Sequence, residues 1–413
     1  MPSPLSSQRI HFIALGGSVM HQLAIALKNK GFEVTGSDDE LFEPALTQLA
    51  QAGLLPPSPG WDPGRITPGL DAVILGMHAR KDNPELQAAL RLGVPVYSFP
   101  EYIRRVSTGK IRVVVGGSHG KTTVTSMIMH VLREAGKDFD YLVGARLEGF
   151  AASVRVSDAP VIICEGDEYP ASALEKRPKF HFFQPHIAVI TGIAWDHINV
   201  FPTFEGYLEQ FSIFLEKIEP GGCLIYNSTD PVVTQLVRKG PPAVRLLPYQ
   251  VPLHHTLDHR TLLEVEGHTA ALRVFGDHNL LNSEASRLVC RELGVGTESF
   301  LRGISTFQGA SRRLEQIASG SGSMIFRDFA HAPSKVRATV RAVHTQFPEK
   351  ILVAVLELHT YSSLDDRFLP QYHGSLDPAQ VAVVYYSPHA LELKRLPPLD
   401  PESIRKGFDR EDL

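Results

Sequence analysis

The sequence predicts an α/β protein of two or three domains built on parallel sheets. Three observations carry that prediction. The chain has 413 residues, more than one domain usually holds. Strand-like and helix-like stretches alternate from the first residues onward. Twice, a glycine pair stands between an apolar strand and an amphipathic helix. Hydrophobic residues make up 43% and charged residues 21%, enough apolar material for a core in each domain.

Arg9 to Leu15 reads as a strand, followed by Gly16-Gly17 and a helix around Met20, Leu23, Ala24 and Leu27. Gly31 closes that helix and Phe32 to Val34 begins a second strand, a βαβ opening. Ala72 to Leu75 reads as a strand, Pro84 to Leu92 as a helix and Val94 to Tyr97 as a strand, with a loop at Pro56 to Pro68. Ser107 to Lys110 reads as a linker. A second unit begins at the strand Ile111 to Val115. Its helix is apolar at Val124, Met127, Ile128, Val131 and Leu132, the spacing of one buried face. Strands at Val161 to Cys164, Ile187 to Thr191 and Cys223 to Asn227 continue a parallel sheet. After Arg312-Arg313 a third unit starts, with strands near Met324 to Arg327 and Ile351 to Leu356.

The formal net charge is -4, with Lys and Arg dispersed, so neither nucleic acid nor an anionic membrane is expected as partner. The three cysteines, Cys164, Cys223 and Cys290, form no CxxC pair, which argues against a zinc site or a disulfide framework. Met1 to Gln8 lacks the charged-then-apolar pattern of a signal peptide, and no apolar run approaches the roughly 18 residues of a bilayer span. The expectation is a cytoplasmic protein without membrane insertion.

Gly116-Gly117-Ser118-His119-Gly120-Lys121-Thr122-Thr123 lies between a strand and a helix, where a phosphate loop must lie. Glycines let backbone N–H groups turn inward around phosphate oxygens, and the helix N-terminus adds positive potential. Lys121 is placed to reach the β- and γ-phosphates, and a following threonine hydroxyl to bind Mg²⁺. Val115 stands where the standard spacing has a first glycine, so the loop is a shortened variant. The strand Val161 to Cys164 ends in Glu165, with Asp167 and Glu168 beside it. Acids at the carboxyl edge of a parallel strand stand where α/β sheets bind ligands, and Mg²⁺ needs only one or two protein carboxylates.

These residues resemble the Mur ligase family. Gly117 to Thr123 resembles its ATP loop in the form with histidine before the second glycine, and Glu165-Gly166-Asp167-Glu168-Tyr169 resembles its acidic strand end. Asp196-His197, Asp277-His278-Asn279 with Asn282, and Asp328-Phe329-Ala330-His331-Ala332-Pro333 follow in the family's order, so the likeness runs from about Arg9 to at least His359. Gly16-Gly17-Ser18 with Met20, then Gly36-Ser37-Asp38, is similar to the muramate-binding domain of two branches. One branch adds L-alanine to UDP-N-acetylmuramate. The other, in cell-wall recycling, adds the tripeptide L-alanyl-γ-D-glutamyl-meso-diaminopimelate. Glu165 to Phe180, with Tyr169 and Lys176 to Phe180, is more similar to the recycling branch, as is the lone glycine pair at 16 and 17.

The resemblance implies three domains: a Rossmann-like UDP-sugar domain over 1–108, a central P-loop ATPase domain over 109–310, and a Rossmann-like, incomplete domain over 311–413 that presents the amine. It implies ATP and Mg²⁺ as cofactors, with UDP-N-acetylmuramate and an amino-acid or peptide acceptor as partners. Gly117, Ser118, His119, Gly120, Lys121, Thr122 and Thr123 then hold ATP phosphates, with Thr122, Glu165 and His197 serving Mg²⁺. His278 and Asn282 lie near adenine, Arg313 or Arg312 near the γ-phosphate, and Asp328 near the ribose. Gly17, Ser18 and Asp38 belong to the UDP-sugar site, and His331 faces the amine. The implied reaction is amide formation through an acyl phosphate. The tripeptide is the expected acceptor, with L-alanine, or a non-catalytic nucleotide- or muropeptide-binding relative, as the alternative.

Some positions depart from the family. Gly192 and Ala194 replace the usual Asn and Glu before Asp196-His197, and Asn199 replaces a common Asp. Thr360 and Ser363 stand where the alanine-adding branch carries two arginines, and no glycine-rich strand-turn-helix precedes Leu413. A nicotinamide dehydrogenase, with Asp38 on a ribose, is the rival from another class. Ala14 to Val19 does not match GxGxxG, and that reading leaves the Lys121 loop unexplained.

Overall fold

The computed structural model describes residues 8–144, 147, 149–195, 200–239, 244–310, 313–320 and 322–413. The chain divides into two compact units, Met1–Pro248 and Tyr249–Leu413.

The first unit opens with a four-stranded parallel sheet in the order Glu33–Ser37, Arg9–Ile13, Ala72–Leu75, Val96–Ser98. Arg9–Ile13 has a neighbour on each side, so every residue after Arg9 is buried. The chain leaves this strand for one neighbour and later crosses to the other. In open α/β sheets such a reversal marks the carboxyl end of the strand as a ligand position, and Gly16 and Gly17 lie there. The helix Ser18–Asn29 buries Met20, Leu23, Ala24 and Leu27, the face the spacing predicts. Ser107 to Lys110, the predicted linker, is tied into the fold at both ends. The helix Phe99–Val106, started by a reciprocal Ser98–Glu101 capping box, runs into it. Lys110 is buried, its ammonium bound by Asp140 Oδ2 at 2.5 Å and by the carbonyls of Ser157 and Ala159.

The larger sheet has seven strands in the order Arg245–Tyr249, Cys223–Asn227, Ile187–Ile190, Ile111–Gly116, Val161–Glu165, Asp140–Leu142, Val154–Arg155. Its centre is parallel, and the short strand Val154–Arg155 pairs antiparallel at one edge. Val113, Val114 and Val115 are wholly buried in the middle strand. The helix Lys121–Glu134 covers them with Val124, Met127, Ile128, Val131 and Leu132. On another face the rings of Tyr207, Phe211, Phe214 and Phe180 pack with centroids 4.8 to 5.5 Å apart.

The second unit begins with three antiparallel strands, His254–Leu257, Arg260–Val265 and His268–Leu272, which the sequence pattern does not announce. Both two-residue turns, Asp258-His259 and Glu266-Gly267, have positive φ throughout, matching the twist of a hairpin. The helices Asp277–Glu292 and Thr297–Thr306 follow, then the hairpin Glu315–Gly320/Ser323–Arg327 and the helix Pro333–Gln346. Val353–Leu358 and Val381–Tyr386 form a parallel pair. Its core contains Val336, Leu356, Leu358, Leu369 and the stacked rings of Tyr372 and Phe408. Among the described residues, no helix is long and apolar enough to cross a membrane.

Candidate active site

The strand Ile111–Gly116 has Val161–Glu165 on one side and Ile187–Ile190 on the other, with Val115 in register with Glu165. Parallel register thus carries the acid to the mouth of the glycine loop. The loop is pinned to the opposite neighbour: Ser118 N–H donates to the Gly192 carbonyl at 2.8 Å, and Thr191 N–H to the Gly116 carbonyl at 3.1 Å. Gly117 has φ of 127°, and an added Cβ would run into the Thr191 hydroxyl and the Gly192 carbonyl. Only glycine fits there. The Thr191 hydroxyl also donates to the His119 carbonyl, which closes the loop against the sheet. Gly120, at φ of 81°, turns the chain into the helix Lys121–Glu134, whose first residues are Lys121, Thr122 and Thr123.

Lys121 Nζ donates to Glu168 Oε2 at 2.8 Å, Glu168 Oε1 at 3.0 Å and the Gly117 carbonyl at 2.6 Å. Burial alone would push the ammonium's pKa down. The Glu168 carboxylate, helped by Asp167 and Glu165, holds it above the ordinary lysine value. Thr122 Oγ1 donates to Glu165 Oε1 at 2.6 Å, and Glu165 Oε2 accepts from Gly144 N–H at 3.0 Å. A hydroxyl and a carboxylate at this spacing form a hard-oxygen pair suited to Mg²⁺. Mg²⁺ keeps several waters, so one hydroxyl and one carboxylate suffice as its protein ligands. Asp167 is drawn off to Lys179, 2.5 Å away; burial would raise its pKa, but Lys179 and Lys121 keep it below the ordinary carboxylate value.

Sequence reasoning did not single out Tyr207 or the use made of Glu168. Tyr207 OH donates to Glu168 Oε1 at 3.0 Å and lies 2.8 Å from Ser118 Oγ, which accepts from Ala194 N–H at 2.9 Å. No local motif marks this contact, since Glu168 and Tyr207 are 39 residues apart.

At the carboxyl end of the four-stranded sheet, Asp38 Oδ2 accepts from Gly16 N–H at 2.6 Å, and Gly17 stands before Ser18, the first residue of its helix. Burial, with Asp39 beside it, pushes the Asp38 carboxyl up to about 6 despite the Gly16 hydrogen bond.

The second unit gathers the remaining residues. His278 opens the helix Asp277–Glu292, with Asn282 buried one turn on. Gly276 has φ of 86°, and an added Cβ would strike Ala342 of the helix Pro333–Gln346. Burial pushes the His278 imidazole's pKa down; Asp328 and then Asp277 oppose it, so Asp328 lies within electrostatic reach. A cavity of about 440 Å³ beside His278 is also lined by Asp277, Arg337 and Arg341. Asp328 accepts from Thr339 Oγ1 at 2.5 Å. The Arg313 guanidinium lies over the Phe329 ring at 5.3 Å, and the rings of His331 and His359 are 5.6 Å apart. His331 Nδ1 is 3.0 Å from the Phe329 carbonyl, which can only accept, so that nitrogen donates. Thr360 and Ser363 bond to each other, Oγ to Oγ at 2.9 Å. His197 and Arg312 lie outside the described residues.

A parallel sheet with a Lys-Thr-Thr glycine loop at its central strand end defines the phosphate-loop α/β class. Residues 9–110 match the Mur ligase family catalytic domain, and residues 115–290 match the Mur ligase middle domain. The chain is similar to the UDP-N-acetylmuramate–L-alanine ligase of Mycolicibacterium smegmatis, 31% identical over 92% of this chain and 82% of that one. It is 33% identical to the corresponding ligase of Mycolicibacterium vanbaalenii, over 87% and 78%. Among solved structures, the UDP-N-acetylmuramate:L-alanyl-γ-D-glutamyl-meso-diaminopimelate ligase from Neisseria meningitides aligns with a TM-score of 0.66 and 26% identity, over 73% of this chain and 98% of that one. The UDP-N-acetylmuramate–alanine ligase from Thermotoga maritima shares the fold, with a TM-score of 0.68 and 21% identity over 96% and 88%. The chain belongs to the Mur ligase family, whose members are ATP-dependent amide-bond-forming ligases.

Proposed function

We propose that this ligase joins the carboxylate of UDP-N-acetylmuramate to an amine, using Lys121, Thr122 and Glu165 to handle ATP. The observation that carries the reading is the Thr122–Glu165 oxygen pair at 2.6 Å, beside a lysine presented by the same glycine loop. A carboxylate acylates poorly, so its oxygen first attacks the γ-phosphorus, ADP leaves, and an acyl phosphate forms. The amine then attacks the acyl carbon, and the C–O bond to phosphate breaks. Negative charge gathers at the phosphates in the first step, and the Lys121 ammonium is held charged to offset it. Mg²⁺ held by Thr122 and Glu165, with His197 toward a second ion, supplies further charge compensation when bound. In the second unit, His331 takes the amine's proton. His278, Asn282, Asp328 and Arg313 serve the nucleotide, while Gly17, Ser18 and Asp38 serve the UDP-sugar. These roles fall to domains over 1–108, 109–310 and 311–413 in this reading.

For the acceptor, L-alanine is better supported than the tripeptide that the sequence favoured, because the curated relatives at 31% and 33% identity are L-alanine ligases. A specific observation keeps the tripeptide as second reading. Thr360 and Ser363 close on each other, and Ser363 is 1% exposed, so neither offers a cation to a free amino-acid carboxylate. The 26% identity to the Neisseria tripeptide ligase points the same way. Phosphate release with ATP, Mg²⁺ and UDP-N-acetylmuramate, compared between the two acceptors, separates them. Release with L-alanine supports the first reading, release with the tripeptide alone the second. Silence with both, while ATP binds, refutes the proposed ligation.

A further inference from the structure

We propose that Glu168, clamped by Tyr207, is a resident counter-ion that positions Lys121 and that competes with nucleotide phosphate for its charge. The inference rests on the nucleotide reading above and deepens it. Lys121 Nζ lies 3.0 and 2.8 Å from Glu168 Oε1 and Oε2 and donates to the Gly117 carbonyl at 2.6 Å. The two oxygens of one carboxylate subtend a narrow angle at the nitrogen, so they share one bifurcated, charge-assisted contact. The phosphate-binding cation therefore already has an anionic partner from within the protein, and a phosphate oxygen competes with it for the ammonium's charge.

Glu168 is not a mobile surface acid that could drift aside. It is 1% exposed, and Tyr207 OH donates to its Oε1 at 3.0 Å. Tyr207 is itself wholly buried, its ring packed against Phe201 and Phe211. The donors run in one direction. Ala194 N–H donates to Ser118 Oγ, the Ser118 hydroxyl to Tyr207 OH, the Tyr207 hydroxyl to Glu168, and Glu168 receives Lys121. Ser118 belongs to the phosphate loop, so the chain ties the carboxylate to the loop that must bind phosphate. Glu168 thereby does two things. It gives the lysine a buried charge partner before nucleotide arrives, and it sets the direction from which Nζ meets the phosphates. Tyr207 and Ser118 act through Glu168, and all three are positioning residues.

This arrangement makes a prediction that a purely structural role does not. Glu168→Gln leaves the buried ammonium without its charge partner in the free protein, and nucleotide phosphates restore one. The free state is destabilised more than the complex, so affinity rises while turnover falls. Calorimetric titration with Mg·ADP is expected to show on the order of tenfold tighter binding for Glu168→Gln, the size of one charge-assisted hydrogen bond. Tyr207→Phe keeps the ring and loses only the hydroxyl; a smaller gain in affinity and a lower kcat are expected. Pairing it with Glu168→Gln should add little further, because both act on one chain. If the parent binds Mg·ADP and Glu168→Gln binds it equally or more weakly, the inference fails and the nucleotide reading stands. Parent-like affinity and kcat in Tyr207→Phe would remove Tyr207 from the device. A parent that binds no nucleotide overturns the functional reading itself, and this inference with it.

Discussion

Replacing Lys121 by methionine should cost stability as well as activity, because the lysine serves a buried carboxylate. The Lys121 and Glu168 side chains are 15% and 1% exposed, with Nζ to Oε2 at 2.8 Å. Removing one partner of a buried pair usually costs 3–5 kcal/mol, since the other charge is left uncompensated. Lys121 keeps some solvent contact and Tyr207 still donates to Glu168, so about 3 kcal/mol is expected here. The remedy follows from the cause. Adding Glu168→Gln to Lys121→Met removes the stranded charge and should recover about 2 kcal/mol, without recovering catalysis. Denaturant unfolding of parent, single and double variants reads the stability. Phosphate release reads the activity, expected to fall on the order of 10²- to 10³-fold in both variants. A single variant as stable as the parent, or a double variant no more stable than the single, would refute the burial argument.

Further outcomes follow from other residues. Folding raises the Asp38 carboxyl from 3.8 to about 6, so its contribution to stability is complete below pH 3.8 and lost as pH rises through 6. Asp38→Asn should therefore abolish that pH dependence and be more stable than the parent at pH 8, by at most about 3 kcal/mol. Equal slopes of stability against pH between 4 and 7 would contradict it. Gly117→Ala should lose nucleotide binding in a filter or calorimetric assay, because φ of 127° and the crowding by Thr191 force the loop to move; retention of normal affinity would show that the loop does not hold phosphate. Glu165→Gln should raise the Mg²⁺ needed for half-maximal rate by on the order of 10- to 100-fold. An unchanged Mg²⁺ titration would remove Glu165 from the metal site.

What the sequence made legible was local chemistry. Gly117, Gly120, Lys121 and Thr122 are adjacent in the chain, and their roles depend on a strand-to-helix turn that glycine spacing reveals. Glu165 was legible because a buried strand must end somewhere and an acid marks the end. The parallel strands were readable because burial on both faces leaves continuous apolar runs such as Val113 to Val115. The illegible parts depend on distance. His11 and Glu85 are both wholly buried and 3.3 Å apart, yet they are separated by 74 residues and belong to no motif. Tyr207 and Glu168 are the same case. The strand His254–Leu257 is exposed at all four residues, so it shows no alternation to read. Lys110 looked like part of a polar linker because composition does not say that Asp140, thirty residues on, will bury it.

The central claim is that ATP activates a carboxylate of the sugar nucleotide as an acyl phosphate. Its most direct test is UDP-N-acetylmuramate labelled with ¹⁸O in that carboxylate, incubated with ATP, Mg²⁺ and the working acceptor. One labelled oxygen should leave with the released phosphate, because the C–O bond breaks when the amine attacks, and the amide product should keep the other. Amide product formed with unlabelled phosphate, or phosphate released without amide product, would contradict the mechanism.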